Sequence, residues 1–180
     1  MKIVALDQAT AVTGVAVFED STLKECFYIK HKRGTKVDNH LVCMTEYIFQ
    51  VLEERQPDVV IIEGTTFQRS AGTTIMLSEL RGAIIGWCIG RDVQLVSYMP
   101  SSWRKMLGFK QGRGIQRKDV KKQAKDYVLS HYGLEVTEDE ADAVCIGSAY
   151  GIANGLINAI EQMGTFDKDG NFIVNMDGGI

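Results

Sequence analysis

The chain opens on KIVALD, a lysine, four apolar residues and a carboxylate at Asp7. Such a run reads as a buried strand that ends in an acid. After a short loop, residues 12–18 alternate apolar with small side chains and predict a second strand. Residues 23–29 predict a third, closing an antiparallel meander. The period then changes. Leu41, Met44, Ile48 and Val51 recur at helical spacing within residues 37–55, and Pro57 ends that helix. Asp58 opens VVIIEG, a continuous apolar run that predicts a strand covered on both faces of a sheet.

Ile75, Met76, Leu80, Ile84, Trp87 and Cys88 form a wide apolar stripe and predict a helix over residues 73–89. Gly82, Gly86 and Gly90 on it suggest close packing or a marginal helix. Residues 93–99 predict a fifth strand, and Pro100-Ser101-Ser102-Trp103 a helix start. GFKQGRG at 108–114 reads as a flexible loop, residues 117–131 as a basic helix stopped by Gly133, and 137–163 as a last long helix. Thr137 and Glu140 match a capping box at its start. The order β-β-β-α-β-α-β-α-α predicts an α/β fold, a mixed five-stranded sheet flanked by helices. Residues 1–163 make one domain of ordinary size. Residues 164–180 form a C-terminal tail, either a hairpin around Asp169-Gly170 or a frayed end.

No apolar run reaches the ~20 residues that span a membrane. The strand-like N-terminus lacks the longer apolar stretch of a secretory signal, so a cytoplasmic location is expected. Cys26, Cys43, Cys88 and Cys145 form no C-x-x-C pair and are expected to be core or half-buried residues. The net charge of −3 says nothing of nucleic acid, but its distribution does. Between Arg104 and Lys125, nine basic residues face the single acid Asp119, a local charge of +8, while the rest of the chain carries −11. A basic segment on an acidic body predicts an anion-binding surface. Arg117, Lys118, Lys121, Lys122 and Lys125 recur so that several share one helix face and can track a phosphate backbone.

Acids stand where chemistry can use them. Asp7 and Glu63 end strands, and Asp139 and Asp142 lie three apart in the first turns of a helix, on one face. Parallel neighbouring strands would bring Asp7 and Glu63 side by side, and the helix need only cross that edge to add its pair. Four carboxylates at one point repel unless cations intervene. Oxygen ligands with no His or Cys nearby suit Mg²⁺, with Mn²⁺ able to substitute. Two such ions ~3.5–4 Å apart can activate a water and stabilise the leaving oxygen of a phosphodiester.

At these residues the sequence resembles a family. DQATAVTGVAV is similar to the first-strand motif of RuvC-type Holliday junction resolvases, VVIIEGTTF to their strand-end Glu with a Phe beyond, LSELRGAIIGW to their L-x-x-x-R-G helix, and EDEADAVCIGSAYG to their D-x-A-D-A helix. The motifs occur in family order over roughly residues 1–155. The resemblance implies a ribonuclease-H-like fold and a metal-dependent endonuclease acting on four-way and other branched DNA. It implies Asp7, Glu63, Asp139 and Asp142 as ligands of two Mg²⁺ ions. It further implies Lys118 as the lysine nearest the scissile phosphate, Arg104 where the family often has a lysine, and Phe67 as the aromatic at the branch point. Gln8-Ala9 stands where the family usually has Pro-Gly. Two related nicks in a four-way junction call for a two-fold homodimer, with the 73–89 helix as the candidate interface. The rival readings are a ribonuclease-H-like nuclease of RNA or RNA–DNA hybrid, a non-catalytic nucleic-acid-binding module, and an ATP-binding domain of the actin and sugar-kinase type.

Overall fold

The structure, a computed structural model, describes residues 1–30, 40–64 and 70–157, with two short strands at 164–166 and 172–174. Three strands come first: β1 (Lys2–Asp7), β2 (Val12–Glu19) and β3 (Thr22–Lys30). Then follow α1 (His40–Arg55), β4 (Val59–Glu63), α2 (Ala71–Gly90), β5 (Gln94–Tyr98), α3 (Pro100–Met106), α4 (Arg117–Tyr132) and α5 (Glu138–Ala153). The sheet order is β3-β2-β1-β4-β5, antiparallel from β3 to β1 and parallel from β1 through β4 to β5. This is the mixed five-stranded sheet that the change of period predicts.

Alternation along the strands builds two cores. Ile3, Ala5, Ala16, Phe18, Val59 and Ile61 face α3, α4 and α5, while Val4, Leu6, Val15, Val17, Val60 and Ile62 face α1 and α2. The central strands are therefore apolar on both sides, as continuous apolar runs require. Helix α5 is buried over the whole stretch from Ala141 to Gly151, the state of a helix without a polar face. Its close seating needs a missing side chain: a Cβ on Gly147 would stand 2.3 Å from the Phe18 ring. Cys88 and Cys145 are buried and Cys26 and Cys43 half-buried, as expected.

Three details differ from the expectation. Three helices follow β5 rather than two, because the Pro100 start opens a short helix of its own. Helix α5 ends at Ala153 instead of running to Met163, with Asn154 as its cap and Gly155 at φ 67°. The 108–114 loop is held rather than loose. Lys110 exchanges two backbone hydrogen bonds with the Gln123 side chain, Gln111 donates to the Ser101 carbonyl, and Phe109 packs edge-on against Trp103 and Tyr127. In the tail, β6 (Gly164–Phe166) and β7 (Phe172–Val174) pair antiparallel in a separate two-stranded sheet, which is the hairpin alternative. Its turn, with Asp169 and Gly170, lies outside the described residues.

Candidate active site

The parallel pairing of β1 and β4 aligns Leu6 with Ile62, so Asp7 and Glu63 leave the sheet as neighbours at one edge. Beyond the last paired residues, the side chain of Gln8 continues the pairing. Its amide nitrogen donates to the Glu63 carbonyl at 2.6 Å, and its oxygen accepts from the Glu63 amide at 3.0 Å. The loop after Asp7 is closed by the buried Thr13, whose hydroxyl accepts from the Ala9 amide and donates to the Ala9 carbonyl.

Across β1 from Asp7 lies Gly14. A Cβ there would stand 1.9 Å from the Asp139 carbonyl oxygen, so the first turn of α5 rests against the bare glycine. The capping box fixes where that turn begins: Glu140 accepts from the Thr137 amide, and Thr137 accepts from the Glu140 amide. These contacts bring Asp139 and Asp142 to the edge that holds Asp7 and Glu63.

The electrostatics report four acids that feel one another. Burial, then the neighbouring Asp142 and Glu63, push the Asp7 pKa up to about 8 against the pull of Lys121. Burial also raises Glu63 and Asp142 above their ordinary values. The Trp103 indole and Arg104 oppose the rise at Glu63, and Lys121 and Arg104 oppose it at Asp142.

One cation of the basic segment stands inside this group. The Lys121 ammonium donates to Asp142 Oδ2, with both side chains largely buried. Burial works against its charge, but the pull of Asp142, Asp7 and Asp139 outweighs it and holds its pKa above the usual lysine value. Lys118, the lysine that the resemblance implies nearest the scissile phosphate, is exposed on α4, and Lys121 is the one that reaches Asp142. The reason is helix phase. Ala124 and Val128 are the buried residues of α4, and Lys121, three and seven positions before them, shares their inward face. Arg117, Lys118, Lys122 and Lys125 are exposed, and Lys122 pairs with Asp126 at 2.7 Å. Arg104, half-buried, stacks on Trp103 with its guanidinium 4.9 Å from the ring centroid. Its buried Nε has no partner among the described residues. Phe67 lies outside the described residues.

Sequence reasoning missed Gln8, Thr13, Gly14 and Trp103. The T-G pair after the first acid was visible as a motif, and the contacts above say what it does. For Trp103 no sequence signal beyond its helix-start position points to Glu63.

The donor set suits a hard divalent cation. All four candidate ligands are carboxylates, and Asp142 Oδ1 is buried without a partner among the described residues. A cation would relieve both that orphaned oxygen and the mutual repulsion around Asp7. Among the described residues no three acids, histidines or cysteines are already grouped as a metal cage. Lys121 holds one oxygen of Asp142, and Trp103 donates to Glu63 Oε1 at 2.9 Å. Lys121 would have to yield its place for Asp142 to ligate with both oxygens.

Comparison with known proteins bears on this geometry. A family model described as crossover junction endodeoxyribonuclease RuvC matches residues 3–150. Proteins of that name from Thermomicrobium roseum and Caldicellulosiruptor saccharolyticus are each 27% identical, over 83% of this chain and 92% of their own. Among solved structures, the fold is similar to Thermus thermophilus RuvC in complex with a Holliday junction substrate. That match has a TM-score of 0.68 and 16% identity, covering 86% of this chain and 96% of the other. It is also similar to the Fowlpox virus resolvase solved with Holliday junction DNA, with a TM-score of 0.59 and 20% identity, covering 86% and 99%.

Proposed function

This chain belongs to the RuvC family of crossover junction endodeoxyribonucleases, and from that premise we propose that it resolves four-way DNA junctions by paired nicks made at the Asp7, Glu63, Asp139 and Asp142 edge. It is a metal-dependent DNA endonuclease. The observation that carries the site assignment is the convergence of acids from three separate segments onto one sheet edge, with Lys121 and Arg104 among them.

Asp7, Glu63, Asp139 and Asp142 would hold the metal, in this reading two Mg²⁺ ions. When bound, such ions supply an activated water and stabilise the leaving oxygen. The protein's own groups do the rest. Gln8 and Gly14 fix the spacing of the acids. Lys121 and Arg104 offset the carboxylate field that would otherwise push a polyanion away, and hold the scissile phosphate at the edge. In this reading Lys121, which reaches Asp142, takes the part that the family resemblance implies for Lys118. The exposed Arg117, Lys118, Lys122 and Lys125 bind the DNA backbone without reading sequence. Phe67, just beyond Glu63 in the chain, is the proposed branch-point aromatic, on the family resemblance alone.

The enzyme works as a homodimer, so that two sites meet the two-fold symmetry of the junction. No helix among the described residues is long and apolar enough to cross a membrane. Substrate choice tests the proposal. Incubated in Mg²⁺ with a synthetic four-way junction, a linear duplex of the same sequence and an RNA–DNA hybrid, the protein should nick the junction symmetrically. Nicks confined to the hybrid would overturn the reading.

A further inference from the structure

Glu63 is held from two sides by residues that carry no charge. Its backbone is clamped by the Gln8 side chain, which donates to the carbonyl and accepts from the amide of the same residue. A primary amide used in this way copies a peptide group, so the β1–β4 pairing continues one step past Asp7 without a main chain to do it. Gln8 is 9% exposed, so both bonds are shielded from competing water. The carboxylate of Glu63 is held separately. Trp103 is fully buried and gives its single donor to Oε1. Its ring is pinned edge-on by Phe109, which in turn packs on Tyr127 of α4. The indole therefore has no freedom to follow Glu63; Glu63 must follow the indole. Among the described residues nothing donates to Oε2.

We propose that Gln8 and Trp103 are positioning residues for the metal centre, Gln8 setting the height of Glu63 beside Asp7 and Trp103 occupying Oε1 so that Oε2 is the oxygen turned to the divalent cation. The proposal rests on the reading of Glu63 as a ligand. It also gives Gln8 a task, where the sequence showed only a departure from the Pro-Gly of the family pattern. Partners that orient a ligand commonly change metal affinity or activity 10–100-fold when removed. Packing alone would give neither residue a reason to place a polar atom on Glu63.

The test is calorimetric titration of Mn²⁺ into the metal-free full-length protein without DNA. It compares wild type with Trp103→Phe, which keeps an aromatic ring and removes the donor. It also includes Gln8→Met, which keeps the length and removes both bonds. Each variant should bind Mn²⁺ about 10-fold or more weakly. Each should also need a correspondingly higher Mg²⁺ concentration for half-maximal junction cutting, with the rate at saturating Mg²⁺ recovering to within a few-fold. Should Trp103→Phe fail to fold, Gln8→Met carries the test alone. Unchanged Mn²⁺ affinity, with only the melting temperature or the saturated rate lowered, would mean a merely structural role and would overturn the proposal. Asp7→Asn is the control for the underlying reading. If it binds Mn²⁺ like wild type, the metal centre is elsewhere and this proposal goes with it.

Discussion

The carbonyl oxygen of Asp139 stands 1.9 Å from where a Cβ on Gly14 would be, and Gly14 is the cross-strand partner of Asp7. One absent side chain thus sets how near the α5 acids come to the β1 acid. Gly14→Ala would force α5 outward against backbone, which has no flexible end to swing aside. Overpacking of this kind costs roughly 1–3 kcal/mol. The larger expected effect is on cutting, since a displacement of about 1 Å in a reacting geometry can cost about 100-fold. Junction cleavage and thermal melting measured together check this; wild-type cutting by Gly14→Ala would show that the close approach is irrelevant.

Lys121 and Lys118 should separate by phenotype. Lys121→Ala should lower the cutting rate by at least ~10-fold with little change in junction affinity, because the ammonium works at Asp142 and the reacting phosphate. Lys118→Ala and Lys122→Ala should weaken binding and each reduce the slope of log K against log salt by roughly 0.9. A salt titration alongside single-turnover rates distinguishes the two behaviours. If Lys118→Ala abolishes cutting while Lys121→Ala is silent, the assignment is reversed.

Much of this was legible in the sequence, for a physical reason. A sheet covered on both faces needs unbroken apolar strands, so an acid directly after VVII or VAL is conspicuous, and Asp7 and Glu63 were found that way. The capping box placed the start of α5 and with it Asp139 and Asp142. Helix phase was harder. In a run as basic as 117–125, every lysine looks solvated, and only Ala124 and Val128 betray that Lys121 faces inward. Gln8 was unreadable, because a side-chain amide that imitates a peptide group leaves no periodic trace. The 108–114 glycines suggested looseness, but Gln111, Gln123 and Phe109 supply bonds and packing that composition does not reveal. The end of α5 was overrun because the apolar pattern continues past Ala153, where Gly155 takes a left-handed φ that stops the helix.

Metal removal should make stability depend on pH in a defined direction. In the metal-free protein the Asp7 pKa is raised to about 8 by burial and by the acids beside it. The unfolded chain releases that proton near 4. Below about 4 both states hold the proton. Between about 4 and 8 only the folded state does, so stability falls as pH rises through that window and levels off above it. A divalent cation replaces the proton and removes the penalty. Melting in EDTA should therefore weaken from pH 5 to pH 8, and added Mg²⁺ should raise the melting temperature more at pH 8 than at pH 5. An equal rise at both would show that Asp7 is not linked to metal.

The outer face of α2 should carry the dimer. Ile75 and Ile89 are 57% and 76% exposed, and Gly82 and Gly86 between them along the same face meet nothing within 4 Å. A smooth apolar stripe of this kind lets a second helix approach closely. Gly86→Leu with Ile89→Glu should shift the protein from dimer to monomer in light scattering, and convert paired nicks into single, uncoordinated ones. A double variant that stays dimeric and cuts in pairs would place the interface elsewhere.

The central claim is that the acids gathered around Asp7 are the nuclease centre, and one paired measurement tests it. Wild type and Asp7→Asn are compared for single-turnover cutting of a four-way junction in Mg²⁺, and for binding of the same junction in EDTA. The account predicts symmetric nicks from wild type, none detectable from Asp7→Asn, and junction binding by the variant equal to or tighter than wild type, since one negative charge facing the DNA is gone. Asp7→Asn protein that nicks the junction at the wild-type rate would contradict it.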